Sequence, residues 1–255
     1  MNTFFGPQGS SFVAYSTQHL AALAGLAIAL LLIVLLRRPL RGRPGAQRAL
    51  RHGLGALLLV LFALLQLWYI VNGRWSAAES LPLQLSTLTL LLAAVLMFRP
   101  GRRLFEFVYF AGIGGALQAL FTPVLDVGFP HFWYVYFFAG HGGTVLAPLY
   151  LAVVEGYRPR GWGAVVRTVL WIDALVLLLL PINAWTGGNY MFVSRKPSTL
   201  SLLDALGPWP WYLVWLQLVA LLLFAVLMLP FSLARRREGR RQRPGKQDAS
   251  AAGPR

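Results

Sequence analysis

The chain has 255 residues, of which 57% are hydrophobic and 12% are charged, and its formal net charge is +15. So few charged side chains exclude an ordinary water-soluble domain and indicate one membrane-embedded domain. The absence of cysteine excludes disulfides, thiolate metal sites and a cysteine nucleophile, and no metal or cofactor is predicted. The basic residues are spread over several loops, which favours contact with anionic lipid and argues against a nucleic acid partner.

Hydropathy predicts an all-α membrane bundle of seven transmembrane helices. A helix needs about 20 apolar residues to cross the hydrocarbon core, and seven windows approach this length. The fourth window carries Glu106 and the sixth carries Arg167 and Asp173, so six spans are the alternative. In chain order, the predicted spans are 12–36, 52–72, 81–98, 105–123, 132–154, 164–183 and 209–231.

The distribution of the 23 Lys and Arg residues predicts the orientation of the bundle. Cytoplasmic loops collect basic residues, and most of these side chains follow the first, third, fifth or seventh span. The opposite loops hold only Arg74, Arg195 and Lys196. This alternation predicts a multi-pass protein of the cell (plasma) membrane with an external N-terminus and a cytoplasmic C-terminus.

Two terminal segments flank the predicted transmembrane domain at 12–233. Residues 1–11 carry no charge, so they lack the basic start of a cleaved signal peptide and are predicted to be an external segment. The basic segment 234–255 has no apolar residue large enough to build a core, and we predict that it is a disordered cytoplasmic tail.

A histidine stands in the middle of the uncharged fifth span. In the stretch YFFAGHGGTVLAPLY, His141 lies at a depth of about 14 Å if the span enters the membrane at Phe132. Ionisable groups at this depth usually face the bundle interior or a water-filled cavity. The alternative is a structural histidine that bonds a neighbouring helix, with Gly140, Gly142 and Gly143 allowing close packing.

Polar side chains also occur at the outer ends of neighbouring spans. In LPLQLSTLTL, Gln84 lies at the start of the third span and Ser86 lies about 7 Å below the boundary. A lone membrane serine is usually structural, because its hydroxyl can bond a carbonyl one turn earlier. Gln66 and Gln118 occupy the outward halves of spans two and four, where a glutamine more often joins helices than binds substrate.

Asp173 differs from these neutral groups, because a carboxylate in the middle of a span requires protonation or a partner. The sequence leaves His141, Arg167 and water open as that partner. The outer loop TGGNYMFVSRKPSTLSLLDALGPWPWY then brings Asn189 and Tyr190, and Asn189 also suits a simple turn cap.

Three motifs in this order, LPLQLS, FWYVYFFAGHGGTVLAPLYL and NYMFVSRKPSTLSLLDALGPWPWY, make residues 50 to 232 resemble the YwaF family of bacterial integral membrane proteins. That family is similar to eukaryotic transmembrane lipid acyltransferases and, more distantly, to androgen-induced fatty-ester hydrolases, which hold a nucleophile and a histidine inside the membrane. The resemblance implies that Ser86 is the nucleophile and His141 the histidine. Acyltransferase-like members commonly carry cysteine at the position of Ser86, so a thioester mechanism is excluded here.

Three functions follow from this pattern. The favoured one is lipid acyl transfer or ester hydrolysis, with Ser86 as nucleophile and His141 as general base. The second is a small-solute or proton-coupled transporter that uses His141 and Asp173, and the third is an inactive scaffold that lost the nucleophile. In the enzyme hypothesis membrane lipids are the partners, and the side chains expected to line the substrate site are Gln84, Gln118, Asp173, Asn189 and Tyr190.

Overall fold

The computed structural model describes residues 4–197 and 202–241. Within these residues the chain forms seven helices, two short 3-10 turns and one isolated β-bridge between Ser11 and Val127. The all-helical architecture predicted from the sequence is confirmed. The helices are α1 (Thr17–Arg41), α2 (Pro44–Val71), α3 (Leu85–Phe98), α4 (Arg102–Phe121), α5 (Phe132–Val153), α6 (Trp162–Thr186) and α7 (Trp211–Arg241).

Five helices within the described part of the chain are long and apolar enough to cross a membrane, namely α1, α2, α4, α6 and α7. Their outer faces expose large apolar side chains such as Leu35, Val71 and Leu222. Such surfaces are stable in lipid and unfavourable in water. The chain is therefore a multi-pass membrane protein.

Helix α3 is shorter than the predicted span 81–98. Its 14 residues extend about 21 Å, less than the ~30 Å of hydrocarbon. Residues 81–84 do not join the helix because their polar groups bind the loop after α6. The Leu81 N–H donates to the Tyr190 hydroxyl at 3.0 Å, and Gln84 Oε1 accepts from the Met191 N–H at 2.9 Å. Contacts with this loop replace helical hydrogen bonds at the N-terminal end of the predicted span.

Helix α5 is the central helix of the bundle, in contact with α1, α2, α3 and α4. Two glycines allow this close packing. A Cβ atom at Gly143 would lie 2.7 Å from Leu58 of α2, and one at Gly140 would lie 3.1 Å from Leu90 of α3. Because protein surrounds α5, its glycine and polar residues do not have to face lipid.

Helix α4 contains a π-helical turn at Val108–Gly112. Here α3, α4 and α5 meet closely, since a Cβ atom at Gly112 would lie 3.2 Å from Thr144 Cγ2 and 3.7 Å from Thr89 Cβ. A π turn adds one residue to the helical turn and rotates the side chains that follow it. The segment Ile113–Phe121 continues from this turn to the C-terminal end of α4.

Two of the three charged residues that interrupt the predicted spans, Glu106 and Arg167, bind each other. Glu106 of α4 is 3% exposed, and its carboxylate accepts from the Arg160 N–H and from Arg167 Nη2 of α6, both at 2.8 Å. The carboxylate therefore has two donors and joins α4, α6 and the loop before α6. This pairing explains how charged residues are accommodated in otherwise apolar windows.

Both terminal segments make defined contacts in the described part of the chain. The Phe12 N–H donates to the Asp126 carbonyl at 3.1 Å, so the N-terminal segment is tied to the loop before α5. Helix α7 continues to Arg241. The stretch from 234 to 241 is therefore helical, whereas the sequence predicted a disordered segment. An ion pair between Arg158 and Glu238 at 2.8 Å holds this end. The rest of the predicted tail, 242–255, lies outside the described residues.

Candidate functional site

A cavity of about 630 Å³ lies among α2, α3, α4, α5, α6 and α7. Its walls are largely apolar, as expected of a site that takes a hydrophobic ligand. Several of the polar side chains singled out in the sequence line it together. They are Gln66, Gln84, Ser86, Gln118, His141 and Asp173.

Ser86 lies in the first turn of α3, two residues after the N-cap residue Gln84. The first hydrogen bond of this helix joins the Leu88 N–H to the Gln84 carbonyl at 2.9 Å. The N–H groups of Leu85, Ser86 and Thr87 have no acceptor among residues 4–197 and 202–241, as is usual for the first turn of a helix. The serine thus lies beside backbone donors at the positive end of a helix dipole.

His141 presents one fixed and one available ring nitrogen. Nδ1 lies 2.7 Å from the carbonyl oxygen of Phe137, one turn earlier in α5. Because a carbonyl only accepts, Nδ1 carries the proton, and the neutral ring then has a free lone pair on Nε2. No described residue donates to Nε2. The imidazole is therefore oriented by a backbone carbonyl and is in the tautomer that accepts a proton at Nε2.

Ser86 and His141 project into the same cavity from neighbouring helices. Helices α3 and α5 are in direct contact beside these two residues. Leu90, one turn after Ser86 in α3, packs against Gly140, which precedes His141 in α5. No hydrogen bond joins the two side chains among the described residues. Catalytic hydrogen bonds are often loose before substrate binds, so the arrangement permits a serine and a general base to act on one ligand.

Asp173 has a different partner from those considered in the sequence. Its two carboxylate oxygens accept from Gln217 Nε2 of α7 at 3.2 and 3.1 Å. Arg167 is bound to Glu106 instead, and Asp173 makes no hydrogen bond to His141. Asp173 therefore lines the cavity and links α6 to α7, but it does not orient the imidazole.

Asn189 and Tyr190 do not line the cavity. The side chain of Asn189 closes its own loop, donating to the Arg195 carbonyl at 2.8 Å and accepting from the N–H groups of Ser194 and Arg195. This is the turn-capping role that the sequence offered as the alternative. Gln66 likewise joins parts of the chain, donating to the Ser80 carbonyl at 3.0 Å.

Tyr190 supports the wall of the cavity. The side chain is fully buried, and burial raises the pKa of Tyr190 above its usual value, so the phenol stays protonated at neutral pH. Its hydroxyl donates to the Ala77 carbonyl at 2.8 Å and accepts from the Leu81 N–H at 3.0 Å. Tyr190 thereby fixes the irregular segment that leads to Gln84 and Ser86.

Removing the Tyr190 hydroxyl is expected to destabilise this segment. Tyr190→Phe leaves the Ala77 carbonyl and the Leu81 N–H without their partner and should cost about 1 to 3 kcal/mol. Thermal unfolding of the purified protein measures the change. Tyr157→Phe is the matched control, because the Tyr157 hydroxyl has no hydrogen bond among the described residues. Equal stability of both variants would contradict the supporting role of Tyr190.

The cavity reaches the outside of the bundle between α4 and α7. Five residues line the cavity and are also exposed: Gln118 of α4, Thr122 directly after α4, and Val214, Gln217 and Val219 of α7. Deeper in the bundle the gap is closed by Phe224 of α7, whose ring would lie 3.0 Å from a Cβ atom at Gly114. The opening therefore lies in the half of the bundle that contains Ser86.

Gln217 was not identified from the sequence, although a detectable signal was present. It is an amide in the middle of an apolar span, as Gln66 and Gln118 are. The cavity also holds Glu79, Tyr69 and Tyr136, whose positions depend on how the loop and helices pack. Among residues 4–197 and 202–241, no group of three His, Asp or Glu side chains is arranged to hold a metal ion.

Comparison with known proteins gives a family for this architecture. The TMEM164 family model matches residues 14–228, which include the cavity and parts of all seven helices. No curated protein and no solved structure gives a significant match. The YwaF name and the likeness to lipid acyltransferases are not part of this match.

Proposed function

The chain belongs to the TMEM164 family, a family of transmembrane proteins, and we propose that it catalyses acyl transfer or ester hydrolysis on a membrane lipid. The observation that carries this proposal is the shared cavity of Ser86 and His141, with His141 Nε2 available as a base. The resemblance of the motifs around these residues to lipid acyltransferases agrees with it. The transporter and scaffold hypotheses have no comparable feature in their favour.

In the proposed reaction, Ser86 attacks the carbonyl carbon of a lipid ester. Its hydroxyl proton passes to His141 Nε2 while the bond from Ser86 Oγ to the acyl carbon forms. The bond to the leaving alcohol then breaks, and the imidazolium returns the proton to that oxygen. Water, or the hydroxyl of an acceptor lipid, releases the acyl group from Ser86 by the same steps in reverse.

The negative charge on the attacked carbonyl oxygen requires donors nearby. The free N–H groups in the first turn of α3 are candidates, since they adjoin Ser86 and have no acceptor among the described residues. The Phe137 carbonyl takes the orienting role that a carboxylate has in many serine enzymes. Gln84, Gln118 and Asp173 remain as polar side chains for the head group or the acceptor.

The lipid would enter sideways through the opening between α4 and α7. This route fits a substrate dissolved in the bilayer, because its acyl chains can remain among apolar side chains while the ester moves towards Ser86. Purified protein with a phospholipid that carries a labelled acyl chain tests the proposal. Lysophospholipid with free or transferred acyl chain is the expected product by mass spectrometry, and no turnover of several phospholipid classes would contradict it.

We also propose seven spans with an external N-terminus in the bacterial plasma membrane. The basic loops support this orientation, and α3 and α5 would cross as helices enclosed by the others. The loop near Ser198, predicted to be external, lies outside the described residues, but Ser194 is described and exposed.

Thiol labelling in this cysteine-free chain tests the orientation directly. Ser194→Cys should react with a membrane-impermeant maleimide added to intact cells, and Arg103→Cys should react only after the membrane is opened. Both sites are exposed, Ser194 in the loop after α6 and Arg103 in the first turn of α4, so they are matched in access. Labelling of both from the same side would contradict the seven-span arrangement.

A further inference from the structure

A second concave site lies at the end of the bundle that carries the basic loops. It is a groove of about 300 Å³ between the start of α6 and the last turns of α7, and it shares no lining residue with the central cavity. Its floor is the buried side chain of Met228, and its sides include Trp162 and Leu233, which are 51% and 53% exposed. These apolar side chains suit a hydrocarbon chain.

The rim of the groove is basic. Arg235 and Arg236 both line it. Arg235 donates to the Pro159 carbonyl, which holds its guanidinium beside the groove, and it packs over Gly161, where a Cβ atom would lie 3.4 Å from Arg235 Nη1. Arg236 has no ion pair or hydrogen bond to any described residue. Its charge is therefore available to a ligand.

No acidic side chain offsets this charge within the groove. None of its lining residues is Asp or Glu. The three carboxylates of α4, α6 and α7 have partners outside the groove, because Glu106 pairs with Arg167, Glu238 pairs with Arg158 and Asp173 accepts from Gln217. The groove thus combines an apolar floor with uncompensated positive charge.

We propose that this groove binds an anionic phospholipid, with its phosphate on Arg235 and Arg236 and an acyl chain along Trp162 and Leu233. Guanidinium groups donate two N–H bonds to one phosphate, and basic pockets between membrane helices accommodate anionic head groups. Met228 and Arg236 are about 12 Å apart along α7. This distance leaves room for part of an acyl chain between the apolar floor and the guanidinium group that binds the phosphate. This lipid would bind at a different site from the substrate proposed for Ser86.

Native mass spectrometry of the purified full chain tests this site. Phosphatidylglycerol and phosphatidylcholine with the same acyl chains are titrated separately, and phosphatidylglycerol is expected to bind more tightly. Arg236→Gln should weaken phosphatidylglycerol binding about fivefold, the contribution of one basic residue at a membrane surface. Arg237→Gln is the matched control, because it removes the same charge one residue away and does not line the groove; it should weaken binding less than Arg236→Gln.

Leu233→Trp provides a second variant that leaves the charge unchanged. It fills the groove, and we expect it to weaken phosphatidylglycerol binding while the protein stays folded by circular dichroism. Equal binding of the two lipids would overturn the proposal, as would equal losses in Arg236→Gln and Arg237→Gln, which indicate diffuse charge only. Displacement of phosphatidylglycerol by inorganic phosphate at similar concentration would also overturn it, since the site would then bind a free anion and not a lipid.

Discussion

Ser86→Ala is expected to reduce turnover of a labelled phospholipid to background, because the substitution removes the oxygen that forms the bond to the acyl carbon. His141→Ala should lower the rate by about 10² to 10⁴-fold, the usual contribution of a general base. Groups that act as a unit fail as a unit, so the double variant should be little worse than Ser86→Ala alone. Product formation by the purified variants measures all three effects.

Two controls accompany these substitutions. Ser86→Cys keeps a nucleophile at the same position, and cysteine is common there in acyltransferase-like proteins, so we expect activity to persist. His52→Ala removes a histidine of α2 that packs against Phe98 and does not line the cavity, so activity should be unchanged. Full turnover by Ser86→Ala would exclude Ser86 as the nucleophile, and additive losses in the double variant would separate the roles of Ser86 and His141.

Glu106→Ala is expected to destabilise the end of the bundle that carries Arg160 and Arg167 by about 2 to 3 kcal/mol. Removing a buried carboxylate leaves its donors without an acceptor, and breaking such a pair commonly costs several kcal/mol. We expect a loss at the low end of this range because the Arg167 side chain is 48% exposed and can bind water after the substitution. The Arg160 N–H, in contrast, loses its acceptor. Thermal unfolding in detergent measures the difference.

Glu238→Ala is the matched control for Glu106→Ala. It also removes a glutamate bound to arginine at 2.8 Å, but the side chains of Arg158 and Glu238 are 50% and 54% exposed. Exposed ion pairs contribute about 0 to 1 kcal/mol, so this variant should be close to the parent. If the two variants lost equal stability, burial of Glu106 would not explain its contribution.

The positions of the helices that face lipid could be predicted because such helices are apolar along their length. Windows such as 164–183 and 209–231 meet that condition and overlap α6 and α7. The boundaries were less accurate: α2 begins eight residues before its predicted window, α7 ends ten residues after its window, and the window for α3 began at Leu81 where the helix begins at Leu85. The difference at α3 has a structural cause. The helix starts late because the Leu81 N–H donates to the Tyr190 hydroxyl and Gln84 accepts from the Met191 N–H, and both partners are more than 100 residues away in the chain.

Ser86 and His141 could be selected from the sequence as candidate site residues because each is a polar residue in an apolar span. Each also lies within a motif that resembles the YwaF family. Their catalytic roles remain predictions. The partner of Asp173 could not be found, because Gln217 is 44 residues further along the chain and only the packing of α6 against α7 brings them together. Asn189 and Tyr190 lie beside each other in the loop, yet one caps a turn and the other is buried. Local sequence does not distinguish these two environments.

The tautomer of His141 also depends on a structural detail. The Phe137 carbonyl is four residues earlier in the same helix, so sequence spacing permitted the contact. Whether a histidine uses that carbonyl depends on its rotamer and on the open space beside it. In α5 the cavity leaves that space, and the result is a ring whose Nε2 has no donor among the described residues.

Covalent labelling by a lipid-like fluorophosphonate tests the nucleophile most directly. The reagent phosphonylates activated serines with loss of fluoride, so we expect one adduct per chain, located on Ser86 by peptide mass spectrometry and strongly reduced in His141→Ala. The chain has no cysteine, so no thiol competes with the serine for the reagent. Absence of an adduct on the folded protein, or an adduct on another residue with Ser86 unmodified, would contradict the assignment of Ser86 as the nucleophile.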